Sequence, residues 1–253
     1  MRLPLLPTFA LLAACALTHG ADYRLSFEEN FSGDKLNSEV WNVSSGSHQR
    51  GTYTDQALDL KDGVLTITTW TDKGTCFTGG IATKSGNFVA FRHGKIEGRL
   101  RFNISPGIST SFGSFTDQEF PQQTPVLINL VEAFAGDKGA YMTAVYWTVP
   151  SNPNEHKQTK QKVVGPEGVS WRTYGVEWDD AGYRFTLDGK IVATDDKSMR
   201  CDTPRGLMLR SVAFGKASPA NGGYGPKNKS KDVYEIDWVK AWERGESPKP
   251  AAK

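Results

Sequence analysis

The pattern that most restricts this chain is a succession of short β-rich runs broken by turns, with no stretch that sustains a helical period. Leu58-Asp59-Leu60 passes through Lys61-Asp62-Gly63 into Val64-Leu65-Thr66-Ile67-Thr68-Thr69, which reads as β-rich sequence entered through an Asp-Gly turn. Lys95 to Phe102 alternates: Ile96, Leu100 and Phe102 are apolar, with Glu97, Arg99 and Arg101 between them. That spacing predicts an antiparallel strand buried on one face. Val176-Glu177-Trp178, then Tyr183 to Leu187, then Asp188-Gly189 leading into Lys190-Ile191-Val192, read as strand, strand, turn and strand. Tyr234 to Trp242 is a closing strand predicted to carry Ile236, Trp238 and Lys240 on one face. Trp41, Trp178 and Trp238 are expected in the core. Strands of this kind must stack as sheets to bury their apolar faces, so the fold class is all-β, a sandwich or jelly roll.

The 253 residues suit one large domain, and neither a repeat nor a second domain is visible. A net charge of +2 gives no reason to invoke nucleic acid or an anionic membrane. The four histidines have no metal-ligand spacing.

Residues 1–21 read as a signal peptide. Arg2 precedes an apolar run from Leu3 to Ala16 that is too short to span a bilayer. Two cleavage readings stand. Thr18-His19-Gly20 before Ala21 is a small-residue site, and Leu12-Ala13-Ala14-Cys15 is a lipobox that would leave a lipidated Cys15 at the new N-terminus. Both predict export: secreted, periplasmic, or lipid-anchored at the cell surface. Residues 245–253, with Pro248 and Pro250, read as a loose tail. In an exported chain, Cys76 and Cys201 favour a disulfide, with two buried thiols as the alternative.

Several motifs occur in a telling order. Phe31-Ser32-Gly33-Asp34-Lys35-Leu36 precedes Val40-Trp41-Asn42. Asp62 to Ile67, Gly80-Ile81-Ala82-Thr83-Lys84 and Arg92 to Leu100 follow. Trp171 to Trp178, Leu187-Asp188-Gly189 and Tyr234 to Lys240 complete the series. In this order they resemble glycoside hydrolase family 16, the laminarinase, lichenase, agarase and carrageenase group. The resemblance implies a concanavalin A-like jelly roll over residues 22–244 with a concave cleft for a polysaccharide or oligosaccharide. It also implies hydrolysis of O-glycosyl bonds without a required cofactor, and a monomer. Asp237 resembles a residue of the family's structural calcium site.

The family's catalytic strand reads Glu-Ile-Asp-Ile-Val-Glu: nucleophile, assisting Asp, acid/base. Residues 126–132 read Val-Leu-Ile-Asn-Leu-Val-Glu, so the resemblance puts Leu127, Asn129 and Glu132 in those three places. Side chains alternate along a strand, so Leu127 and Asn129 share a face, and Glu132 joins them only through a bulge. Leu127 has no lone pair with which to attack, and Asn129 carries no charge. Only Glu132 keeps its role by position. Neighbouring places differ too. Ser109 and Gly113 stand at two of the family's tryptophan places, with Phe112 retained. Tyr146, beside Trp147, and Arg172 replace two histidines, and Ser211 stands near a usual Asn. Phe112, Tyr146, Trp147 and Arg172 are the candidate substrate contacts, and Trp147 reads equally well as core.

The expectation is recognition of a β-glycan, glucan or galactan, with impaired retaining hydrolysis. The alternative is an active endo-hydrolase that pairs Glu132 with a loop carboxylate such as Asp117, Glu119 or Asp137. A minor alternative is a polysaccharide lyase built on Asn129, Tyr146 and Arg172.

Overall fold

A computed structural model describes residues 23–87, 93–116, 124–134, 140–165, 168–201, 203, 205–214 and 223–245. The leader with Cys15, the loop acids Asp117, Glu119 and Asp137, and the tail from residue 246 lie outside the described residues.

Two antiparallel sheets stack face to face. One has eight strands, in the order Lys190–Asp195, Gly182–Leu187, Arg172–Asp179, Gly94–Asn103, Val233–Arg244, Val64–Thr68, Leu58–Lys61, with Tyr23–Glu29 also pairing with Val233–Arg244. The other has seven, in the order Asn152–Val164, Ala140–Val149, Val126–Phe134, Ile108–Thr116, Arg205–Ala213, Gly80–Thr83, Trp41–Val43. A small four-stranded sheet, Gly46–His48, Gly51–Tyr53, Thr75–Thr78 and Trp70–Asp72, completes the fold.

Local chemistry accounts for the connections. Asp62 and Gly63 both have positive φ, as do Asp188 and Gly189. Each pair forms the two-residue turn whose twist matches the strands it joins, and Gly takes the left-handed backbone without steric cost. The core lies between the two large sheets. Leu65, Ile96, Leu100, Val176 and Ile236 meet Phe112, Ile128, Leu130, Val145 and Leu209 there.

Trp41 and Trp178 are buried in this core, but Trp238 is not. Arg99 pairs with Trp238 and Leu100 with Ile236, which leaves Asp237 as an extra residue. The bulge turns the strand over. Tyr234 and Ile236 point inward on one side of it, Val239 and Ala241 on the other. Trp238 and Lys240 therefore face outward together, with the Lys240 ammonium 5.3 Å from the indole centroid. The expected face of Ile236, Trp238 and Lys240 is corrected accordingly.

The expected disulfide is also corrected. Cys76 and Cys201 are both free thiols. Cys76 is buried with Ile108, Ala213 and Tyr224, whereas Cys201 belongs to the main core.

Candidate functional site

The strand Val126–Phe134 carries the expected bulge. Phe112 pairs with Val131 and Gly113 with Asn129, so Leu130 is the extra residue. Ile128, Leu130 and Val131 all reach the core. Burying two successive apolar residues, Leu130 and Val131, brings Glu132 back to the face shared by Leu127 and Asn129. Cross-strand pairing then builds three rows on the face turned away from the core. Phe115, Leu127, Tyr146 and Gln158 form the first, and Gly113, Asn129, Ala144 and Lys160 the second. Ser111, Glu132, Met142 and Lys162 form the third, with Arg210 beyond Ser111.

Glu132 is held by two neighbours. The Tyr146 hydroxyl donates to Glu132 Oε2 at 2.8 Å, and Asn129 Nδ2 donates to the same oxygen at 3.3 Å. Burial raises the Tyr146 phenol far above its usual range, and the hydrogen bond to Glu132 and that carboxylate's charge push the same way. Tyr146 is thus a fixed donor. Asn129 is buried, and its Oδ1 has no hydrogen-bond partner. A Cβ on Gly113 would come within 2.6 Å of that oxygen, so glycine leaves room for the amide to lie over the neighbouring strand. An unsatisfied acceptor at such a place suits a ligand hydroxyl.

Three features escaped the sequence reading. The Arg210 guanidinium is close enough to Tyr146 and Tyr53 to lower both phenols electrostatically, against burial, and its Nε is buried without a partner. Lys160 places its ammonium 5.1 Å from the Tyr146 ring centroid. Phe134 and Phe214 are 40% and 45% exposed with ring centroids 6.2 Å apart, an aromatic platform beside Glu132. Strand alternation holds the signal for Arg210, because Leu207 and Leu209 are core and Met208 and Arg210 must face the other way. Along the first row, a depression of about 480 Å³ is lined by Phe115, Leu127, Tyr146, Gln158, Thr148 and His156.

Three assignments change. Phe112 is fully buried, and its ring lies where a Cβ on Gly98 of the opposite sheet would be, so it packs between the sheets and reaches no ligand. Trp147 pairs with Val126, on the opposite side of its strand from Tyr146, and packs against the core, while also lining the depression. Arg172 lies on the eight-stranded sheet and binds Asp188 at 3.0 Å, so the grouping of Asn129, Tyr146 and Arg172 required by the lyase reading does not assemble. Asp237 is ion-paired with Arg99. Among the described residues no three or more His, Cys, Asp or Glu side chains cluster as a metal site. Ser211 is buried, and its neighbour Arg210 faces outward.

A family model for glycosyl hydrolases family 16 matches residues 45–240. The chain belongs to this family. The fold agrees with solved relatives. Porphyranase B from Zobellia galactanivorans is 17% identical with a TM-score of 0.72, over 88% of this chain and 93% of that one. Laminarinase from a Flavobacterium species is 20% identical with a TM-score of 0.69, over 87% and 100%. A Bacteroides ovatus mixed linkage glucan family 16 protein, solved with a G4G4G3G product, is 18% identical with a TM-score of 0.69, over 85% and 99%. At these identities the likeness is one of fold. No curated protein matches the chain.

Proposed function

We propose that this family 16 protein is exported, binds a β-glycan across the open face of its seven-stranded sheet, and does not carry out retaining hydrolysis. The observation that carries this reading is Leu127, on the same face as Glu132 and directly opposite Tyr146. Retaining hydrolysis needs two carboxyl groups about 5–5.5 Å apart, one to attack carbon and one to donate a proton. In the three rows Glu132 is the only carboxylate. Leu127 offers no lone pair, Asn129 is neutral, and the Tyr146 phenol is held protonated. Nothing described at the vacant place can attack.

The same residues suit binding. Glu132 accepts, Tyr146 and the Asn129 amide donate, the Asn129 carbonyl is unpaired, and Phe134 with Phe214 offers apolar area for a sugar face. The solved relatives named for laminarin, porphyran and mixed linkage glucan support a glucan or galactan ligand. Export rests on the leader at residues 1–21. A hydrolase that pairs Glu132 with Asp117, Glu119 or Asp137 is the competing reading. The test is to follow binding and release of reducing ends together, with the mature protein on neutral and sulfated glucans and galactans. Binding without release supports the proposal, and release that depends on Glu132 overturns it.

A further inference from the structure

We infer that the glycan taken by this face is polyanionic, a chain bearing sulfate esters or carboxylates; the inference rests on the glycan-binding reading above. On the eight-stranded sheet several basic side chains are matched to acids: Lys95 with Glu97, Arg99 with Asp237, Arg101 with Glu235, Arg184 with Glu177 and Asp179, Lys240 with Glu28. On the open face of the other sheet, Arg210 and Lys160 stand on opposite sides of the Glu132, Asn129 and Tyr146 group. Among the described residues neither has a carboxylate in ion-pair contact.

Each cation is fixed in place. A Cβ on Gly80 would meet the Arg210 Cβ at 2.8 Å, so glycine opposite lets the arginine strand pack closely. The Arg210 Nε is buried and unpartnered, an arrangement that costs free energy until an acceptor arrives. Lys160 is exposed, yet its ammonium lies over the Tyr146 ring rather than out in solvent. Four strand spacings separate them, on the order of 19 Å across the sheet, a distance a few pyranose rings can cover. Lys162 extends the Glu132 row on the Lys160 side. The one carboxylate in the rows, Glu132, already accepts hydrogen bonds from Tyr146 and Asn129. A ligand crossing this face meets cations at both ends, with a single carboxylate between them that is already held by two neutral donors. A hydroxyl of a neutral sugar can also accept from Arg210 Nε, but a sulfate or carboxylate oxygen pairs with the guanidinium charge as well and makes the stronger hydrogen bond there.

The test is calorimetric binding by the mature protein at 0.15 M NaCl, using oligosaccharides of agarose and laminarin as neutral probes, ι-carrageenan as the sulfated probe and β-linked polymannuronate as the carboxylated one. Dextran sulfate serves as the probe of undirected charge attraction. The expected result is that ι-carrageenan or polymannuronate oligosaccharides bind at least tenfold more tightly than either neutral probe and than dextran sulfate. Lys160→Gln, at an exposed position, should weaken that binding threefold or more, and Arg210→Gln tenfold or more. Which anionic probe is preferred distinguishes sulfate from carboxylate. Preference for a neutral probe overturns this inference and leaves glycan binding standing. So does equal binding of dextran sulfate, or unchanged affinity in both variants. Absence of binding to every probe overturns both.

Discussion

Tyr146 donates a 2.8 Å hydrogen bond to Glu132 from the strand position directly opposite Leu127. The carboxylate expected to exchange a proton with a sugar oxygen is tied instead to a phenol, beside a leucine that cannot attack. Tyr146→Phe removes a charge-assisted hydrogen bond at a half-buried site, and stability should fall by about 1–2 kcal/mol. Urea midpoints of the two proteins measure this. An unchanged midpoint would mean that the pair contributes nothing to the fold.

Asn129 is buried against Glu132, so Asn129→Asp places two carboxylates together out of water. Both burial and like charge favour the protonated form, which raises the folded-state pKa above the unfolded one. The folded state then binds more protons, and stability relative to the parent falls as pH rises through that interval. Melting temperatures of variant and parent should lie close together near pH 4 and separate near pH 8, by the equivalent of about 2 kcal/mol. A pH-independent gap would contradict the burial of this site. Leu127→Glu added to this variant supplies the missing attacking group and is expected to release trace reducing ends.

Asp179 answers to acid in the opposite sense. Burial works to raise its pKa, but the hydrogen bond from Arg184, the Ala181 amide, and the charges of Arg184 and Arg244 bring it down to about 2. A lowered folded-state pKa gives stability that is present above about pH 4 and is lost as pH falls towards 2. Solvent around the cluster keeps the contribution to about 1 kcal/mol. Asp179→Asn should lower the urea midpoint at pH 7 and converge with the parent near pH 2. Parallel curves across that range would refute the assignment.

Cys76 and Cys201 are free and buried, and burial together with the charge of Asp232 pushes the Cys76 thiol up to about 11. Both should resist a thiol-labelling reagent at pH 8 in the folded protein and react once it is denatured. Dithiothreitol should leave the melting temperature unchanged, and a fall on reduction would mean that they are bridged.

Much of this architecture can be read in the chain, because turns and alternation are local. The Asp-Gly turns fix two hairpins, and the three-residue step from Asn129 to Glu132 requires the bulge that Leu130 supplies. The same kind of bulge at Asp237 defeats alternation, since one extra residue turns Trp238 and Lys240 outward with no mark in the composition of the strand. Arg172 was misplaced for a different reason. Its neighbours in sequence are clear, but which sheet a strand joins is decided by long-range pairing. Arg210 escaped the sequence reading although alternation with the apolar Leu207 and Leu209 carried its signal, and its lack of an ion-pair partner among the described residues depends on residues far away in sequence.

The most direct test of the account is reducing-end release by residues 22–253 on laminarin, lichenan, agarose and carrageenan, with binding measured on the same samples. Saturable binding to at least one of them, with no new reducing ends, is the expected result. New reducing ends that disappear in Glu132→Gln would contradict it, because a group able to do the work that Leu127 cannot would then have to stand beside Glu132.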